Sequence, residues 1–361
     1  MNKPLTWPDV LESLSQRAQR VDATGQWPRE NIDDLSRCGA LRWSVPKQYG
    51  GTGMPPVQLH RRYERLASAC LSTALILTQR DAALEFLICA ANNPTSGQQC
   101  RKLLAQLAAN KIFASIGIAQ LTTSGQHQNG GVMALPHAEG WRISGIIPWS
   151  TGANHSHFLI AGAKTESGDQ LLFILNMNQL RVKVLAAANM AVLNSSNTAP
   201  VKLDGVVIRP ADILSGPCPN ALAVRNEYRR FTLNTCVLPL GVAAGALRDA
   251  RELVATRSAR CKAVIKELRR QHAELSRQVY TQGADKVEAD SATEPAILRA
   301  QCNNLCYRCT AASLELAKGR GLMMEHPAQR RMREAMFFFV WSSGASVIEE
   351  TLACLAGPIQ Q

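Results

Sequence analysis

The sequence contains no apolar run approaching the roughly 20 residues needed to cross a bilayer, so membrane insertion is not expected. Residues 1–10 carry one lysine and two prolines with no apolar stretch behind them, which argues against a secretory leader and for the cytoplasm. Acids are scarce beside bases. The 28 Asp and Glu face 40 Lys and Arg, a net charge of +12 that favours anionic partners: nucleic acid, anionic lipid, or phosphorylated cofactors and thioesters, among which sign alone does not choose. Aromatic residues make up only 5% and do not interleave with the basic clusters. No DNA-reading motif is present either, so nucleic acid is a rival partner rather than the expected one. A disulfide framework is also missing: the cysteines are odd in number, eleven, and Cys70, Cys89, Cys236 and Cys354 sit in apolar surroundings as small hydrophobes would. Internal repeats and low-complexity tracts are absent.

What is present is ordinary globular material, with 46% hydrophobic and 19% charged residues. A chain of 361 residues exceeds one typical core, which predicts two or three packed subdomains. Three textures follow one another. Residues 1–112 read as a helical N-terminal domain, with apolar residues spaced by three and four around Val10, Leu14, Leu66, Leu71 and Leu75 and a turn from Pro46 to Gly53. Ser96 is placed to N-cap a helix over 98–109. Residues 113–215 change period. Runs such as 141–147, 158–163, 171–175 and 201–208, separated by turn residues at 137–140, 166–169 and 194–197, predict an antiparallel β-sheet or barrel. Residues 216–361 return to helical patterns and predict a C-terminal bundle. The fold class is α+β.

Several segments carry a family resemblance in this order. Gly39 to Gly53, with Pro46-Lys-Gln-Tyr-Gly-Gly51, is similar to the Pro-x-x-Tyr-Gly-Gly turn of acyl-CoA dehydrogenases. Ile118 to Ser124 stands where that family's first flavin-contacting strand lies, and Gly140 to Gly152 where its second lies. Val201 to Asp212 resembles the strand leaving the β domain. Lys318 to Ala335 resembles a late glycine turn, here Gly319 and Gly321, followed by an Arg-x-x-Arg-Asp-Ala helix. The resemblance implies a helical domain, a β domain and a four-helix bundle that bind FAD and assemble as a homodimer or homotetramer. The implied reaction is α,β-dehydrogenation of acyl-CoA or a related thioester, feeding an electron acceptor that the sequence does not name. A base takes the α-proton and the flavin takes the β-hydride. Residue by residue, Thr122 matches the threonine at the flavin pyrimidine edge, and Trp149 and Thr151 match the Trp-x-Thr that packs on the ring system. A reduced-flavin monooxygenase of the same fold is an alternative, as is a non-catalytic scaffold or a phosphate- or nucleic-acid-binding relative.

The resemblance fails at the base. Aligning Gly344 with the family's Tyr-Glu-Gly-Thr puts Ser343 where the catalytic glutamate stands, and a hydroxyl takes a proton usefully only when another group activates it. Glu227, one helical turn from the position some relatives use, and Glu349 and Glu350, about two turns past Ser343, are substitute candidates. The pyrophosphate motif is altered too, to Gly125-Gln-His-Gln-Asn-Gly-Gly131, in which Gly125 and His127 could still meet phosphate. Thr256 to Arg277 carries seven basic and two acidic residues, suited to a phosphate or to a solvated helix face. Cys302, Cys306 and Cys309 have iron-sulfur spacing but fall inside a helical pattern, where i, i+4 and i+7 share one core-facing side. His155 and His157 alternate on an expected strand without a third ligand nearby, so no metal is assigned.

Overall fold

The computed structural model describes residues 5–122, 131–228, 234–282 and 295–356, with the side chains of 226–228 left aside. Helix α1 (Trp7–Thr24) opens on a capping box: the Thr6 hydroxyl accepts from the Asp9 amide while the Asp9 carboxylate accepts from the Thr6 amide. It ends on Gly25 in the left-handed region. Then come α2 (Arg29–Arg37), α3 (Pro56–Ala69), α4 (Leu71–Ala90) and α5 (Gly97–Ala108). The apolar spacing runs unbroken from Leu66 to Leu75, yet Cys70 is extended and separates α3 from α4. Helix α4 is buried on nearly all sides. Its first half joins the helical core, while Ala83, Leu84 and Leu87 pack under the sheet. The buried Arg80 supports this junction by donating to Asp81 Oδ1 (2.8 Å) and to the Leu41 and Leu107 carbonyls.

The Pro46–Gly53 turn forms as expected. Gly51 N–H donates to the Pro46 carbonyl and Gly53 N–H to the Val45 carbonyl, while the Arg42 guanidinium clasps the Gly50 carbonyl. A Cβ on Gly51 would lie 1.9 Å from the Val45 oxygen, so only glycine fits there. Gly51→Ala should therefore lower stability by about 1–3 kcal/mol, measurable as a fall in the thermal unfolding midpoint. Ser96 behaves differently from the sequence expectation. It precedes α5, but its hydroxyl makes no capping bond, and Asn93 Oδ1 instead accepts from the Thr95 and Ser96 amides.

Among the described residues eight strands form one sheet: β1 (Ala114–Gly117), β2 (Met133–His137), β3 (Gly140–Ser150), β4 (Phe158–Lys164), β5 (Gln170–Asn176), β6 (Val182–Val184), β7 (Ala199–Ile208) and β8 (Ile213–Cys218). The order is β6-β7-β3-β2-β4-β5-β8, with β1 beside β4. Most pairs are antiparallel, as the alternation suggested. The β1–β4 pair is parallel, Ala114 opposite Phe158, and β2 meets β4 in parallel at Met133 and Lys164. Period-2 patterning fixes which face is buried but not strand direction, so these pairings were not readable. One sheet face packs on α4 and α5, and the other closes over Val132, Ile143, Leu159 and Val206.

The C-terminal helices described are α6 (Asn234–Val254), α7 (Ala259–Gln282), α8 (Pro295–Ala317), α9 (Pro327–Val340) and α10 (Ala345–Ala356). Cys302, Cys306 and Cys309 are fully buried on α8, within the core that α6 shares, and all eleven cysteines are free thiols. Helix α9 is held by arginines. Arg330 pairs with Glu334 (2.8 Å), Arg331 with Asp249 on α6 (2.6 Å), and Arg333 with Asp22 on α1. No described helix is long and apolar enough to cross a membrane.

Candidate functional site

Two places collect the residues singled out above. The first is the end of the sheet formed by β1, β3 and the turn after β1. Residues 118–122 are not a strand: β1 stops at Gly117 and a single 3-10 turn covers Ala119–Leu121. Gln120 fixes this turn by donating its side-chain amide to the Gly117 carbonyl (2.9 Å) and the Gly162 carbonyl (2.7 Å). The Thr122 hydroxyl donates to the Ala119 carbonyl (2.8 Å) and keeps its lone pairs free for a donor.

Strand β3 reaches the same end. Ser150 points inward and donates to the Ile116 carbonyl (3.1 Å), so strand alternation turns Trp149 away from β1. Trp149 is 51% exposed, an indole face with apolar surface left uncovered. Thr151 begins a hydroxyl chain, 3.1 Å to Thr198 and on to Ser196 (2.8 Å). Behind it the α1–α2 connection is clamped. Trp27 stacks on His155 (4.1 Å between ring centroids), His155 Nε2 bonds Asn197 Oδ1 (3.0 Å), and Asn197 donates to the Gly25 carbonyl. His155 thus lies in a 3-10 turn, while His157 precedes β4 and accepts from the Phe113 amide through Nδ1. The two histidines do not share a strand face, and no metal-holding group occurs among the described residues.

An uncovered indole beside a pinned turn and two hydroxyl groups fits a flat, hydrogen-bonding ring system such as a flavin. Gly125 and His127 lie outside the described residues. Gly319 and Gly321 fall in a 3-10 turn, Lys318–Leu322. A Cβ on Gly321 would crowd Leu314 and Ala317 of α8, whereas Gly319 faces open space.

The second place is the turn between α9 and α10. Arg299 and Asn303, one helical turn apart on α8, reach the carbonyls that α9 leaves unpaired at its C-terminus. Asn303 donates to the Phe338 carbonyl (3.1 Å), and Arg299 donates to the Trp341 carbonyl, the Ser342 carbonyl (2.7 Å) and the Ser343 hydroxyl (3.4 Å). Ser343 in turn donates to the Phe339 carbonyl (3.2 Å). Its proton is thus engaged by a backbone oxygen while its own oxygen accepts from a cation. The cation beside its oxygen opposes uptake of a further proton, so this arrangement does not activate Ser343 as a base.

Arg299 is 7% exposed, and its Nε has no partner. Burial pulls its pKa down, and no carboxylate is among the influences that oppose this. The sequence reading missed this residue. Its signal was position, since Arg299 lies three and seven residues before Cys302 and Cys306, on their core-facing stripe, where a charge is out of place. The structure does not hydrogen-bond Glu349 or Glu350 to Ser343. Glu349 is exposed and Glu350 half-buried on α10, and the side chain of Glu227 lies outside the described residues.

Comparison with known proteins agrees with this architecture. Residues 10–111 match the family model described as acyl-CoA dehydrogenase, N-terminal domain. The probable acyl-CoA dehydrogenase YngJ of Bacillus subtilis is 20% identical over 354 residues, 94% of this chain and 92% of that protein. The structure of butyryl-CoA dehydrogenase from Megasphaera elsdenii superposes with a TM-score of 0.78 at 19% identity, covering 99% of this chain and 100% of that one. FMN-bound TdsC from Paenibacillus sp. A11-2, a dibenzothiophene monooxygenase, superposes with a TM-score of 0.78 at 17% identity, covering 96% of this chain and 95% of that one. Residues 10–111 are thus an acyl-CoA dehydrogenase N-terminal domain, and the chain as a whole is a divergent relative of the acyl-CoA dehydrogenases, built on their fold.

Proposed function

We propose that this protein is an FAD-dependent oxidoreductase acting on the CH-CH group of an acyl thioester or a similarly activated carbonyl compound. The observation that carries the reading is the half-exposed Trp149, held by Ser150 at the sheet end where Thr122 and Thr151 offer hydroxyl groups. Trp149 would cover the flavin ring, Thr122 and Thr151 would bond its polar edge, and the flavin would supply the hydride-accepting chemistry. The excess of basic residues suits a phosphorylated cofactor and a CoA ester. We further propose a cytoplasmic homodimer or homotetramer with the domain limits 1–112, 113–215 and 216–361. Exposed apolar residues on the last helices, Val340, Ile348, Leu352 and Leu355, support self-association.

A second reading, a reduced-flavin monooxygenase, is favoured by one feature: the residue at the usual base position is a serine bound to an arginine. Oxygen chemistry on a flavin does not need a carboxylate there. Purified protein should be yellow and should release FAD on denaturation. Colourless protein that neither FAD nor FMN reconstitutes would exclude both readings and leave a non-catalytic relative. Bleaching of the bound flavin by acyl-CoA under anaerobic conditions favours dehydrogenation, and oxidation that needs oxygen and supplied reductant favours oxygenation.

A further inference from the structure

We infer that Arg299, with Ser343, receives an acidic group carried by the substrate. Three observations point there. Arg299 is 93% buried, yet among the described residues no carboxylate lies within ion-pairing distance of it. This differs from Arg80, Arg330 and Arg331, the other deeply buried arginines, each of which is matched by an acid. The carbonyl oxygens at the end of α9 return only about half a charge to the guanidinium. Finally, donors remain in reserve, because Nε has no partner and Nη1 is given one acceptor, the Ser342 carbonyl.

A cation kept from water, with helix-end carbonyls but no acid beside it among the described residues, selects for an anion. Ser343 is half-buried and neighbours the exposed Ser342, so the guanidinium is shielded from bulk water but stands behind a residue that an incoming group can reach. The serine hydroxyl can swing from the Phe339 carbonyl to donate to that group. The inference rests on the proposed function, which puts residue 343 on the substrate side. It narrows the substrate class from any acyl thioester to one with a second acid on its acyl chain. It also accounts for the missing carboxylate, since a glutamate at 343 would fill this position and repel the substrate's acid.

Isothermal titration of the purified full-length protein with matched CoA esters tests this, each pair differing by a methyl replaced with a carboxylate: propionyl and malonyl, butyryl and succinyl, pentanoyl and glutaryl. In at least one pair the dicarboxylic member should bind about tenfold or more tightly. The ratio should fall to about one in Arg299→Gln. Should that variant fail to fold because α9 loses its cap, Ser343→Glu decides, since it keeps the cap and offers the arginine an internal acid. Its ratio should also be about one. Ratios near one for all three pairs in the unaltered protein overturn the inference while leaving the thioester reading intact. So does a preference that persists in the folded variants, which would reduce Arg299 to a helix cap. If no CoA ester of any pair binds, the thioester reading fails and this inference falls with it.

Discussion

Asp249→Ala should destabilise the protein by about 3–5 kcal/mol, because it strands a guanidinium that is almost wholly buried. Arg331 is 2% exposed and lies 2.6 Å from Asp249, and it also donates to the Ser68 carbonyl on α3. Burial already pushes its pKa down, with Asp249 the main influence holding it up. Removing the acid leaves a guanidinium in the core with a single carbonyl for company. The site is cut to fit: a Cβ on Gly245 would sit 2.1 Å from Arg331 Nη1, so the arginine occupies space that α6 leaves by having glycine there. Chemical denaturation of Asp249→Ala should show a lower midpoint with an unchanged slope. The double variant Arg331→Met, Asp249→Ala should recover most of the loss, because an apolar pair carries no desolvation penalty. A double variant no more stable than the single one would mean that shape, not charge, holds α9 in place.

This pair marks how far the sequence could be read. Arg330 to Ala335 stood out as a family-like arginine motif, and the helix it predicts is present as α9. Sequence spacing could not say that its three arginines reach three different partners, 4, 82 and 311 residues away in the chain. The same division holds elsewhere. The turn at Pro46 to Gly53 was legible because proline and glycine constrain the backbone locally. The single extended residue Cys70 was not, because apolar spacing continues across it. The cysteine stripe on α8 was legible from periodicity alone. Arg299 on that same stripe was not, because its meaning depends on carbonyls some 40 residues later that only the fold delivers. Residue 343 shows both sides: the missing acid was plain from the sequence, while the cation that takes its place required the structure.

Trp149→Ala should weaken flavin binding by about 30- to 150-fold, the equivalent of roughly 2–3 kcal/mol for an aromatic side chain buried against a ligand. Fluorescence titration of the protein with FAD, after removal of the bound cofactor, measures it. Stability should hardly change in the flavin-free protein, because a side chain half-exposed to solvent contributes little to the core. This combination separates a ligand-facing tryptophan from a structural one. A core tryptophan truncated to alanine costs about 3–5 kcal/mol of stability, and its effect on flavin would follow only from lost folding. Trp149→Phe keeps an apolar ring without the indole N–H and should retain most of the affinity. Neighbouring Ser150 supplies the control for position. Ser150→Ala removes the bond to the Ile116 carbonyl that orients this end of β3, so both flavin affinity and stability should fall, each by a smaller amount. Unchanged flavin affinity in Trp149→Ala would move the cofactor away from this sheet end, and with it the role given to Thr122 and Thr151.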